Sequence, residues 1–455
     1  MSMRTSTLKL AGAISIVALA NALGLPAMAQ DTAKAEAAGM NPALYKAAVA
    51  EAKSIAGDAK LDPTIEYVGG NSGAEGAILE ALYQAFTDAT GTVINYSGTG
   101  ASTVTAATVQ SRVQAGNPPD LVDMGLGVAK SYAEQGYTVD LSKVIGSDVL
   151  SARYAKTLLD SLSYDGKVFG ITQGFSTFMI WYNPEVYSGP KEPKTWQEMV
   201  DWTNKLAAEG KPAWCNAQEA GGGSGFPGTQ FIQSLFAKMY GPEMVSKWAN
   251  GELPWTSPEV KSAWEAFGSI AADDKKVAGG VKGSLSTSMA IGSNGLIAKP
   301  PTCEAVLWGS WVPGLIGEGV VPEKNMDFLK IPGDKPEFAN TEIYNAGATV
   351  VLKDTPTTEA FIKFLASTPA QTLLASADHW TVANKQVPAD TYKSALLKKI
   401  AAAYFNDTTQ LVAPPDIMSS AAVVAAFNKG VMTYLADPST LDSVLTSIED
   451  ASKGN

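Results

Sequence analysis

Two spacings of apolar residues alternate along the chain from residue 64 onward. Residues 64–68 read as a short strand and 69–73 as a turn, after which Ile78, Leu79, Leu82 and Phe86 recur on one helical face. Ser72 with Glu75 three residues later predicts a capping box at the start of that helix, and Gly91 predicts its end. A strand over 92–97, a helix carrying Val104, Val109 and Val113, and a strand over 120–124 follow. Strand, helix, strand, helix, strand is the pattern of an α/β unit with a mostly parallel sheet.

Beyond it, Asp165-Gly166 between Tyr164 and Lys167 predicts a hairpin. Residues 177–182 form an apolar run ending in Asn183-Pro184. Helices are expected over 195–210, with the Thr195 and Glu198 pair at its start and Trp196, Met199 and Trp202 inward, and over 256–272, with Pro258 in the first turn and Glu259 completing a second box. Another, over 356–367, follows a strand at 346–352. Residues 30–60, rich in alanine and lysine, read as an extension with an exposed helix over 42–56 or with no fixed place.

Residues 1–29 read as an export leader: Arg4 and Lys9, then an apolar stretch over 10–25, then Ala27-Met28-Ala29. Asn21 and Pro26 interrupt a run already short for a bilayer span, and no cysteine stands near the cleavage point to carry a lipid. The expected product is free in the periplasm. About 425 residues remain, too many for one core and suited to two domains.

The leader removes two of the 34 basic residues and none of the 45 acidic ones, leaving 32 against 45 and a net charge of −13. Nucleic acid and anionic membranes are poor partners for such a surface. Arg112 and Arg153 are the only guanidinium groups left, which limits any site built on an arginine fork. Cys215 and Cys303, an even pair in an exported chain, favour a disulfide, with two buried thiols as the alternative.

Catalytic chemistry has few seats. One histidine, His379, excludes a zinc cluster or triad that needs two, and no metal site or cofactor is expected. Gly223-Ser224-Gly225-Phe226-Pro227-Gly228 spells a dinucleotide fingerprint but follows no strand. A secreted glycoside hydrolase would use two carboxylates, of which Asp123 and Glu219 are the most site-like.

Binding chemistry is better represented. The turns 69–73, 97–102 and 124–127 all follow strand carboxyl ends, the edge where open α/β sheets take ligands. Asn71, Ser72, Ser97, Thr99, Ser102 and Asp123 place short, mostly uncharged polar groups there, suited to hydroxyls. Phe226, Trp308, Ser310, Trp311, His379 and Trp380 fall in glycine- and proline-rich stretches read as loops; sugar C–H faces lie flat on such aromatics while hydroxyls need fixed polar partners. Asn345 completes the candidate ligand set.

With these residues in view, the sequence resembles extracellular solute-binding proteins of the maltose-binding type, closest to their α-glucoside-binding branch. The resemblance rests on Asn117-Pro118-Pro119-Asp120-Leu121, Tyr164-Asp165-Gly166-Lys167, Trp181-Tyr182-Asn183-Pro184, the helix starts at Thr195 and Ser257, and the Cys215 and Cys303 pair found in that branch. It implies a type II two-lobed α/β fold closing like a hinge over a sugar, with an N-terminal lobe of 60–172 plus 340–382 and a C-terminal lobe of 173–339 plus 383–455. It also implies a monomer that delivers its sugar to the permease of an ABC importer without reacting with it. Carried over by position, Trp311 stacks on the sugar, Phe226 is another platform and Asp123 a strand-end acid. Where the family has an aromatic near a Pro-x-x-Met segment, Ile417-Met418 is followed by small residues, and Phe427 is the nearest candidate. A sulfonated or otherwise modified sugar, or a charged solute such as a polyamine, is the alternative ligand.

Overall fold

The computed structural model describes residues 27–454 apart from 100, 101, 405 and 407, so the leader lies outside the described residues except for its last three. The strands of the first half are β1 (Thr64–Gly69), β2 (Val93–Gly98), β3 (Leu121–Gly125), β4 (Ser163–Tyr164), β5 (Lys167–Val168) and β6 (Gly174–Tyr182). Those of the second half are β7 (Ala305–Gly309), β8 (Asp327–Leu329), β9 (Thr341–Asn345), β10 (Gly347–Val351), β11 (Thr381–Val382) and β12 (Gln410–Val412).

They build two large sheets, and a separate two-stranded one of β4 and β5, around two separate hydrophobic cores. The first runs β10-β3-β1-β2, with β1 parallel to β2 and β3, and β10 antiparallel on β3. Its parallel part is the α/β unit expected from the sequence, with each strand within a residue or so of its predicted span. In the second sheet β6 pairs antiparallel with β7, β8, β9 and β11, and β12 runs parallel to β9. β6 is a near-continuous apolar run, buried from Thr177 onward as a strand covered on both faces must be.

Several of the described stretches join the cores, β12 among them, with Leu411 in the first core and Val412 in the second. Along β6, Phe175 belongs to the first core and Phe178 to Tyr182 to the second. Along β9 the chain returns, with Ile343 in the second and Tyr344 in the first. The helix Ala395–Tyr404 straddles both: Leu396, Ile400 and Tyr404 pack into the second core and Ala401 into the first. After β12 the short helix Pro415–Met418 rests on the helix Leu126–Glu134 of the first core. A Cβ on Gly127 would stand 2.5 Å from the Met418 carbonyl oxygen, so only glycine permits that approach.

Local signals held where side chains had no better partner. Asp165 and Gly166 both take positive φ, the requirement of the tight hairpin joining β4 to β5. Thr195 caps its helix by accepting from the Glu198 amide at 3.3 Å. Ser257 caps the helix Pro258–Ala271 through Val260, and Glu259, one position short of closing a box, does not complete one. Ser72 precedes the helix Gly73–Thr90 but makes no side-chain cap, and the Glu75 carboxylate that would close a box from the other side is bonded to Asn71 and His379.

The helix expected over 42–56 forms as Pro42–Ala56, capped by Asn41, yet it is not an exposed appendage. Tyr45, Ala48 and Ala52 are buried against the helix Gly73–Thr90 and the pair Pro356–Leu365 and Thr368–Ser376. Small alanines let it lie close, and the Tyr45 hydroxyl donates to Asp88 at 2.5 Å. Cys215 and Cys303 are joined, their Cα atoms 5.4 Å apart. Among the described residues no helix is long and apolar enough to cross a membrane.

Candidate functional site

The carboxyl ends of β1, β2 and β3 converge on one polar cluster. Asp123, on β3, accepts at one carboxylate oxygen, Oδ1, from the Tyr67 hydroxyl of β1 at 2.6 Å and from the Thr349 hydroxyl of β10 at 2.5 Å. Gln173, immediately before β6, donates its amide to both hydroxyls, at 3.0 Å and 3.2 Å. Burial raises the Asp123 carboxyl to about 6, an effect the two hydroxyl bonds oppose. Tyr96 packs edge to face on Tyr67 and Tyr83, which are tilted against each other, with ring centroids 5.3–5.5 Å apart.

Glycines bring this floor together. A Cβ on Gly69 would lie 2.5 Å from the Tyr96 hydroxyl and 3.0 Å from the second Asp123 oxygen, Oδ2; one on Gly98 would lie 2.0 Å from the Asn71 carbonyl oxygen. The Tyr96 hydroxyl donates to that same carbonyl at 2.9 Å. Asn71 also donates its side-chain amide to Glu75 at 2.8 Å, and the other Glu75 oxygen meets His379 at 3.1 Å. His379 is exposed, its ring 4.5 Å from that of half-buried Trp380. Asn71, His379 and Trp380, distant in sequence, therefore form one rim. Ser72 and Ser97 are exposed beside it, and the Thr99 amide donates to the Gly69 carbonyl at 2.9 Å.

On the second core, Phe226 opens the helix Phe226–Ala249, half-buried, with its ring 5.5 Å from Trp308. Trp308 lies 5.2 Å from half-buried Trp311, and Phe178 closes the group at 5.7 Å from Trp311. Trp308 corrects an expectation. It lies within the buried strand β7 and is 3 % exposed, because Ala305 to Trp308 is an apolar run that fills the core rather than a loop. It supports Phe226 and Trp311 from behind. Phe427 is likewise fully buried, packed on Trp248, Trp255 and Trp264, and offers no surface.

The crossing strand sets the spacing between the two groups. Ser310 donates its backbone N–H to the Thr177 carbonyl at 2.9 Å, and Asn345 pairs in register with Ser176. Four residue-to-residue steps of extended chain separate Gln173, bonded into the Asp123 cluster, from Thr177, bonded beside Trp311. That is a rise of ~13 Å at ~3.3 Å per residue.

Glu219 accepts from the Gly221 amide of its own loop at 2.7 Å and serves that turn. Sequence reasoning missed Tyr67, Gln173, Thr349 and Glu75. Glu75, four residues after Asn71 on a helix start, carried a readable signal; the others meet only through the pairing of β10 on β3 and the start of β6.

The chain is 28% identical to the alpha-glucosides-binding periplasmic protein AglE of Rhizobium meliloti over 393 residues, 83% of this chain and 85% of that one. It is 25% identical to the osmoprotective compounds-binding protein GgtB of Synechocystis over 361 residues, 78% and 85% of the two chains. The bacterial solute receptor AcbH, described with an exclusive preference for β-D-galactopyranose, superposes with a TM-score of 0.72 at 18% identity, covering 86% of this chain and 98% of that one. The maltose/maltodextrin-binding domain of Bdellovibrio bacteriovorus, bound to maltotriose, gives 0.61 at 17% identity, covering 86% and 99%. At these identities the two structures speak to the fold, a two-lobed α/β architecture. The model of the bacterial extracellular solute-binding proteins matches residues 81–403, most of the chain, and the chain belongs to that family.

Proposed function

We propose that this chain is the sugar-binding component of an ABC importer: exported through its leader, monomeric in the periplasm, closing over a neutral mono- or oligosaccharide and handing it unreacted to a membrane permease. The observation that carries the reading is the pairing of a fixed, half-buried indole, Trp311, with a polar cluster at the strand ends, tied together by one crossing strand. In this reading Trp311 and Phe226 cover the apolar faces of the ring, and Trp380 does so from the first lobe. Asp123, Asn71, Ser72, Ser97, Thr99, Ser310, Asn345 and His379 orient hydroxyls, and Trp308 keeps the platform rigid. Contacts from both lobes favour the closed form only when a ligand engages both.

Neutral ligands are favoured over anionic ones because the acids of the first-lobe cluster, Asp123 and Glu75, have hydroxyl, amide and imidazole partners and no lysine or arginine. The binding role is favoured over hydrolysis because Asp123 is committed to two hydroxyls and Glu219 to its own turn.

A thermal-shift screen of the purified chain with maltose, raffinose, galactose and a sulfonated glucose tests the reading. A neutral sugar at a hundred times its Kd stabilises by about 2.7 kcal/mol and is recovered unchanged. Stabilisation by the sulfonated sugar alone, or release of monosaccharide on incubation, would overturn it.

A further inference from the structure

The Asp123 cluster carries more information than a list of contacts, because its hydrogens can be counted. Gln173 Nε2 has two hydrogens, and two hydroxyl oxygens receive them: Tyr67 at 3.0 Å and Thr349 at 3.2 Å. Each of those hydroxyls has one hydrogen, and both are spent on the same Asp123 oxygen, Oδ1, at 2.6 Å and 2.5 Å. Tyr67 and Thr349 are also 3.1 Å from each other, close enough to bond mutually if either were released. The amide disfavours that, since it takes one lone pair on each oxygen from the side away from the hydrogen given to the acid.

We propose that Gln173 is a positioning residue that fixes the proton order of this cluster, holding Asp123 ionised with one oxygen saturated and the other, Oδ2, free as a single acceptor for a ligand hydroxyl. The free oxygen is the one facing Gly69, where a Cβ would stand 3.0 Å from it and where the Tyr96 ring packs instead. The ligand in this statement rests on the sugar-binding reading; the proton order does not. Gln173 also stands one residue before β6, so the same amide that tunes the acid sits at a crossing between the cores.

Burial opposes ionisation of Asp123, and the two hydroxyl donors oppose burial. The titratable groups around it are Tyr67 from β1, Tyr96 from β2 and Tyr83 from the helix Gly73–Thr90, with Glu75 and Glu80 beyond Tyr96 and His379 beyond Glu75. Lysine and arginine are absent from this set, so the orientation of the hydroxyls is the main support left for the charge.

Removing the amide lets Tyr67 and Thr349 bond to each other and withdraws one donor from Asp123. Its titration then moves up by about one pH unit, toward 7. The test needs no ligand, and its failure is therefore distinguishable from failure of the sugar reading. Thermal unfolding of the full chain is followed at pH 5 and pH 7 for Gln173→Leu, Asp123→Asn and the double variant. The expected result is a loss for Gln173→Leu that is larger at pH 7 than at pH 5, and a loss in the Asp123→Asn background that is the same at both. Gln173→Met, which removes the amide at similar length, gives the same pH signature and stands in if Gln173→Leu does not fold. A loss equal at both pH values, or a pH dependence that survives Asp123→Asn, would overturn the proposal and leave Gln173 a packing residue.

Discussion

Trp311 lays its indole so close to Gly309 that a Cβ there would stand 2.4 Å from the ring. With the backbone against part of the ring, and Trp308 and Phe178 meeting it edge to face, the indole is fixed before any ligand arrives. A pre-set aromatic surface loses little rotamer freedom on binding.

Trp311 and Trp308 should therefore separate by experiment. Trp311→Ala weakens binding of the sugar found by thermal shift by about a hundredfold, as a lost stacking anchor does, with a small change in unfolding temperature. Trp308→Ala, which empties a buried site, lowers stability by about 3–5 kcal/mol. Calorimetric titration beside thermal unfolding reads both, and a large affinity loss for Trp308→Ala at unchanged stability would assign it a direct contact instead.

Stability should fall as pH rises through the mildly acidic range. Burial raises both Asp123 and Asp416 to about 6, from the ordinary 3.8. An acid that holds its proton more tightly when folded contributes most below its unfolded pKa, and that contribution is lost as pH climbs through the folded value. Glu66 and Glu75, lowered by Arg112 and His379 respectively, act oppositely and lose their contribution below about 4.5. The unfolding temperature should peak near pH 5 and decline toward pH 7, with up to about 3 kcal/mol at stake per buried acid. Asp416→Asn should flatten that decline; an unaltered slope would show that Asp416 titrates normally.

The Lys238 and Glu342 side chains meet at 2.8 Å with 2% and 3% exposure, linking the helix Phe226–Ala249 to β9. Burial pushes the lysine down and the glutamate up, the mark of a pair whose desolvation opposes its attraction. Lys238→Met alone should destabilise by about 3–5 kcal/mol, whereas Lys238→Met with Glu342→Leu should recover most of that loss. Denaturant unfolding measures the cycle, and additive losses would rule out the coupling.

Reduction should loosen the second core. The Cys215–Cys303 bond spans 88 residues, and its loss is expected to cost on the order of 4 kcal/mol by loop entropy. Gly295 packs over it, since a Cβ there would lie 2.6 Å from the Cys215 sulfur. Unfolding with and without dithiothreitol gives the difference, and equal midpoints would mean the bond contributes nothing.

By itself the sequence determined the local grammar. Alternating periodicities placed β1, β2 and β3 and their helices to within a residue or so, Asp165-Gly166 fixed its hairpin, and an even pair of cysteines in an exported chain foretold the bridge, because each depends on neighbours along the chain or on composition. The tertiary structure decided which residues share a place. Trp308 and Trp311, three positions apart, divide into buried support and half-buried platform because one lies within a covered strand and the other in the turn after it. The Glu75 carboxylate, read as half of a capping box with Ser72, is instead bonded to His379 about 300 residues away. Gln173, Tyr67 and Thr349 meet Asp123 only where β10 lies against β3 and β6 begins, and no pattern within one segment encodes a contact whose partners are brought together by the packing of another.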